Sequence, residues 1–111
     1  MDNGLLSTGI GPTRVAAPAN FTTMIAMVAR HPNAALLRAL NAGPKRFNEL
    51  LAEVQSVPEL AVSGCLRDLD SDGLVARKVD PGPPLRVLYE LTPRGQALMP
   101  ALLALADWTE R

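Results

Sequence analysis

Six side chains in this sequence have the chemistry to hold a phosphodiester backbone or a base edge: Lys45, Arg46, Ser63, Arg67, Arg77 and Arg86. Lysine and arginine neutralise phosphate and release its counterions, and a serine hydroxyl both donates to and accepts from groups in a nucleic-acid groove. The other reading of the five cations is a solvated surface in which they pair with Glu49, Asp68 and Asp80. Other chemistries lack their parts. With one cysteine, Cys65, and one histidine, His31, the chain can assemble neither a zinc cluster, nor an intrachain disulfide, nor a pair of histidines for catalysis. It also offers no nucleophile and base pair and no phosphate loop, so the residues argue against an enzyme and call for no cofactor or metal. Asp68, Asp70 and Asp72 are spaced too evenly on a helix to wrap a calcium ion and read as a solvated face.

Length and charge bound the partners. The chain has 111 residues, enough for one domain whose small core would gain from a second subunit. Eleven basic residues balance eleven acidic ones, so affinity for a polyanion must come from a local patch rather than from a global field. No apolar run is long enough to span a bilayer and no signal peptide opens the chain, which predicts a cytoplasmic protein without a membrane partner.

The elements that must carry these residues follow from spacing. Residues 1–19 are rich in Gly, Pro, Ser, Thr and Ala and read as a flexible N-terminal arm, with the folded domain at 20–111. Asn20 is a candidate N-cap for a first helix whose Phe21, Met24, Ile25 and Val28 share one face. A second helix is expected over about 32–42, with Pro32 in its first turn, Gly43 past its end and His31 as a capping or solvent residue. A third opens on Pro44 and aligns Phe47, Leu50, Leu51 and Val54.

A fourth helix, about 58–71, turns Val62, Leu66 and Leu69 inward and stops at Gly73. Two β-prone runs across 74–91, broken by Pro81-Gly82-Pro83-Pro84, make a hairpin, or wing. Thr92 then caps a last helix that starts at Pro93 and is expected to bend or start late because of Pro100. The fold class is therefore mainly α with a small β-hairpin.

Three stretches, "LLRALNAGPKRFNELLAEV", "LRDLDSDGLVARKV" and "PPLRVLYELTPRGQAL", resemble the HxlR-type transcriptional regulators across about residues 20–108. Gly43-Pro44-Lys45-Arg46-Phe47 together with Leu91-Thr92-Pro93-Arg94-Gly95 at this separation carry the likeness, whereas Asp72-Gly73-Leu74-Val75 occurs in many winged-helix proteins. The resemblance implies a winged helix-turn-helix domain with dimerisation helices at both ends. It further implies a homodimer on double-stranded DNA, with the fourth helix in the major groove and the wing against the backbone or minor groove. Lys45, Arg46, Arg67 and Arg86 would then converge on one side of each subunit.

The fourth helix departs from that family. Its outer face reads Leu60, Ser63, Gly64 and Arg67, where the family usually carries a lysine, a serine, a glutamine or arginine, and a lysine or arginine. Glu59 faces phosphate with the wrong sign unless it serves the helix start. The family's sensing members carry a cysteine ahead of the first helix; here the single cysteine is Cys65, on the core-facing flank of the fourth helix, and it reads as a small packed thiol. A reactive Cys65 would disturb DNA docking.

The terminal helices hold more apolar surface than one core stripe needs, as a dimer interface would. Phe21, Met24, Met27, Met99 and Trp108 are candidate lining for an apolar small-molecule effector. The first reading is thus a dimeric DNA-binding transcriptional regulator. The alternative is a winged-helix domain with weakened DNA reading that serves as a small-molecule-binding or protein-interaction module.

Overall fold

The computed structural model describes residues 16–111, with side chains from Asn20 onward. The chain divides between Arg30 and His31 into two units. The first contributes helix α1, Ala16–Ala29. Asn20 lies inside this helix and is not its N-cap, so the expected arm gives way to helix at residue 16; the rest of that arm lies outside the described residues. The alanines at 16, 17 and 19 are strong helix formers and a proline is tolerated in a first turn, which together outweigh the capping preference of asparagine.

The second unit runs in the order α2 (Asn33–Leu40), α3 (Phe47–Glu53), α4 (Glu59–Ser71), β1 (Val75–Asp80), β2 (Arg86–Leu91) and α5 (Pro93–Thr109). Its core is built from one stripe of each element. Leu36, Leu37 and Leu40 of α2, Leu50 and Val54 at α3, Val62, Leu66 and Leu69 of α4, and Met99 and Leu102 of α5 are all buried, with Leu74, Val75 and Leu91 at the base of the hairpin. Helix α2 packs against α3, α4, α5 and β2.

The ends of these helices are set by short-range chemistry. Pro32 stands just before α2 rather than in its first turn, and its carbonyl accepts the Leu36 N–H at 3.0 Å. At the end of α4, Gly73 has φ +77°, and the Leu74 N–H reaches back to the Leu69 carbonyl at 3.0 Å. That left-handed residue lets α4 end and the chain leave at once as β1. The strands pair antiparallel from Val75 opposite Leu91 to Asp80 opposite Arg86. Only the base of this two-stranded sheet is buried, so the hairpin projects from the body.

Thr92 fastens the hairpin to α5. Its hydroxyl accepts the Gly95 N–H at 3.0 Å and donates to the Gly73 carbonyl at 2.5 Å, while its own N–H bonds the Leu74 carbonyl at 3.1 Å. One side chain thereby caps α5 and holds the exit of α4, worth about 1–2 kcal/mol for the cap alone. Gly95 is buried because α5 crosses the chain there at backbone distance: a Cβ on it would run into the Leu74 carbonyl. Helix α5 starts on schedule at Pro93 and continues past Pro100, so the expected late start does not occur. Pro100 has no N–H to offer the Gln96 carbonyl one turn back, and that single intrahelical bond is missing.

Candidate nucleic-acid interface

The outer face of α4 is defined by what its inner face buries. Val62, Leu66 and Leu69 are at or near zero exposure, and Leu60, Ser63, Gly64 and Arg67 lie on the other side of the helix. Leu60 is 82% exposed. Arg67 is exposed, Ser63, Gly64 and Cys65 are half-buried, and Glu59 is the first residue of α4, where the helix dipole favours a carboxylate. The α3 to α4 connection is tight, with Ser56 at φ +76°.

The start of α3 adjoins the start of α4. Phe47, Glu59, Leu60 and Ser63 line an open cleft of about 360 Å³ between them. Arg46 occupies the position before α3 and is exposed; its N–H is taken by the Glu49 carboxylate at 2.8 Å. Glu49 thus closes the α3 terminus through the Arg46 backbone, leaving the guanidinium to solvent.

Lys45 is positioned by a contact that no local pattern announces. Its N–H donates to the Tyr89 carbonyl at 2.9 Å and its carbonyl accepts the Tyr89 N–H at 2.8 Å. The segment before α3 is therefore a one-residue third strand on the hairpin. Because Tyr89 also stands opposite Arg77, the row Lys45, Tyr89, Arg77 runs straight across the sheet on one face. Arg86 stands opposite Asp80 on the other face, together with Lys78 and Glu90, which form an exposed ion pair at 3.6 Å.

The register thus groups Lys45 with Arg77 and sets Arg86 near the hairpin tip on the opposite face. Among the described residues, none of Lys45, Arg46, Arg67, Arg77 and Arg86 forms an ion pair. Glu49 is engaged by the Arg46 backbone, and Asp80 accepts the Gly82 N–H at 3.3 Å. The hairpin turn that carries this bond needs glycine: Gly82 has φ +50°, and a Cβ there would collide with the Pro84 carbonyl.

The residues considered as lining for an effector are divided between the units. Phe21, Met24 and Met27 belong to α1, where Phe21 is exposed, Met24 half-buried and Met27 buried. Met99 is part of the core of the second unit, and Trp108 is exposed near the end of α5. A second cleft of that unit, about 310 Å³, is lined by none of these five; Leu40, Asn41, Gly43, Pro44, Glu90, Leu91 and Gln96 line it. His31 is exposed. Among the described residues no His, Cys, Asp and Glu side chains cluster as a metal site, and no helix is long and apolar enough to cross a membrane.

A helical body with an antiparallel hairpin after the helix that follows a tight turn is a winged helix-turn-helix domain. Residues 27–111 match the family described as HxlR-like helix-turn-helix, and the chain belongs to that family. An uncharacterised HTH-type transcriptional regulator of Methanothermobacter thermautotrophicus is 37% identical over 73 residues, covering 66% of this chain and 56% of the relative. The HTH-type transcriptional regulator YodB of Bacillus subtilis is 29% identical over 79 residues, 71% of this chain and 70% of YodB.

Among solved structures, a transcriptional regulator of Enterococcus faecalis V583 assigned to the MarR family superposes with a TM-score of 0.78 at 29% identity. That likeness covers 91% of this chain and 92% of the regulator. The alignments span 56% to 70% of these curated relatives' own length.

Proposed function

We propose that the protein is a homodimeric, DNA-binding transcriptional regulator acting in the cytoplasm, with α4 in the major groove and the hairpin on the flanking backbone. The observation that carries this reading is the disposition of cations around α4 in an HxlR-like chain: Arg67 on its outer face, Arg46 at the start of the neighbouring α3, and Lys45 in one row with Arg77 on the hairpin. None is ion-paired among the described residues, so no internal partner has to be given up on binding phosphate.

The test is a titration of a duplex from the gene's own upstream region at several salt concentrations. About four phosphate contacts per subunit predict a slope of log K against log salt near −3.6 per subunit, or about −7 for a dimer. Undetectable or salt-independent binding at low ionic strength would contradict the proposal and favour a module that binds proteins or small molecules through the same fold.

The dimer rests on apolar surface that each terminal helix leaves uncovered. Phe21 and Ile25 of α1 are 66% and 51% exposed, and Leu105 and Trp108 of α5 are 55% and 70% exposed. Aromatic and aliphatic side chains of this size are expected to be covered in an obligate interface. Sedimentation at micromolar concentration should return about twice the subunit mass of 11.8 kDa. A single-subunit mass would remove this part of the account.

A further inference from the structure

We infer that Leu60 reads thymine: within the DNA complex proposed above, its side chain packs on the C5-methyl of a thymine in the major groove, so that each half-site carries a required thymine at one position.

Among the described residues Leu60 is the most exposed of the large apolar side chains, at 82%, while the apolar stripe of its own helix is complete without it. Gly64, one turn further along, makes the surface beside it bare. Gly64 is helical without a positive φ, and a Cβ placed on it would meet nothing within 4 Å, so neither backbone conformation nor internal packing calls for glycine there. The missing side chain lets the helix backbone lie closer to whatever α4 faces.

In a major groove the bases present donors and acceptors, which a leucine cannot satisfy, and one apolar group, the thymine methyl. The polar surroundings fix the orientation. Ser63 stands three residues from Leu60 on the same face and can bond a neighbouring base edge, and exposed Arg67 lies one further turn along toward phosphate. Glu59, which with Leu60, Ser63 and Phe47 lines the cleft at the start of α4, offers only hydrogen-bond acceptors when ionised and then repels phosphate. The start of α4 therefore approaches base edges and not the sugar-phosphate strand. A methyl group is small enough for the corner where Leu60 meets that open cleft.

The experiment replaces thymines of a bound duplex by deoxyuridine, one at a time, which deletes the methyl and leaves every hydrogen-bonding group in place. For the wild-type protein one position per half-site should weaken binding about fourfold, the factor that corresponds to ~0.8 kcal/mol for one buried carbon. Leu60→Ala, which alters both subunits, should bind the thymine duplex about sixteenfold more weakly, about fourfold for each half-site, and should no longer distinguish thymine from uracil at that position, with a nearly unchanged melting temperature because Leu60 is 82% exposed. If all single replacements leave wild-type affinity unchanged while binding stays steeply salt-dependent, the thymine reading is overturned and the DNA-binding proposal stands. The same holds if Leu60→Ala keeps the full discrimination. Failure to bind any duplex at low salt overturns both.

Discussion

Arg67→Ala is expected to weaken binding to duplex DNA about tenfold for each subunit bound, about a hundredfold for a dimer, near 0.1 M salt and to reduce the salt slope by about 0.9 per subunit. Arg67 closes the outer face of α4, is exposed, and has no ion-pair partner among the described residues. In the proposed complex its loss removes a contact to DNA, and in the free protein it leaves no ion-pair partner behind among the described residues. A charge-assisted hydrogen bond is worth roughly 1.5–3 kcal/mol, and ~1.4 kcal/mol already accounts for a factor of ten. The melting temperature should hardly move. Arg111→Ala is the matched control: Arg111 is paired with Asp107 at 2.8 Å at the far end of α5, and the slope should be unaffected. Equal losses from both substitutions would show that the effect is general charge and not the face of α4.

Gly95→Ala is expected to destabilise the fold by about 1–3 kcal/mol, the usual cost of forcing atoms into a packed site. The added Cβ meets the carbonyl of Leu74 and comes within 3.2 Å of the Leu91 Cδ2. Backbone cannot rotate away as a flexible side chain can, so α5 has to lift from the base of the hairpin and strain the Thr92 bonds to Gly73 and Gly95. For a domain of this size that corresponds to a melting temperature lower by roughly 5–20 °C. The identical change at Gly64 should act in the opposite sense, stabilising α4 by about 0.5–1 kcal/mol, because the helix gains propensity and nothing obstructs the methyl. Calorimetry of the two variants compares them directly; a stabilised Gly95→Ala would contradict the close approach of α5 to Leu74.

Most of the framework was legible in the sequence because it is local. The apolar stripes of α2, α3 and α4 repeat at helical spacing, Gly73 marks a helix end, and the run Pro81 to Pro84 breaks two β-prone segments at the hairpin turn. Thr92 before Pro93 is a capping signal that the structure realises with its hydroxyl on the Gly95 N–H. Where competing local preferences had to be weighed, the balance was harder to read. Asn20 has the type of an N-cap, yet helix is present from Ala16, and of the two effects expected of Pro100, a bend or a late start, the late start does not occur. Packing of Met99 and Leu102 holds α5 on both sides of that proline.

Two features of the site have no sequence signature because they are made at long range. The pairing of Lys45 with Tyr89 involves a single residue on one side, too short to leave an alternating pattern, although it fixes where the cation before α3 stands relative to Arg77. The requirement for glycine at 95 depends on Leu74, which approaches only after the hairpin has folded back. The face of α4, by contrast, was readable residue by residue from helical geometry. The structure adds that Leu60 is uncovered and that Gly64 borders open space, and it is on this bare apolar surface that the proposed thymine contact rests.

In the proposed complex DNA meets this protein through the outer face of α4, the segment before α3 and the hairpin. Backbone amide chemical shifts recorded while a bound duplex is added test it most directly. The largest changes are expected at residues 45–47, 59–67 and 77–86, with α5 beyond Met99 little affected. Changes concentrated in the last turns of α5, with residues 59–67 unmoved, would contradict it.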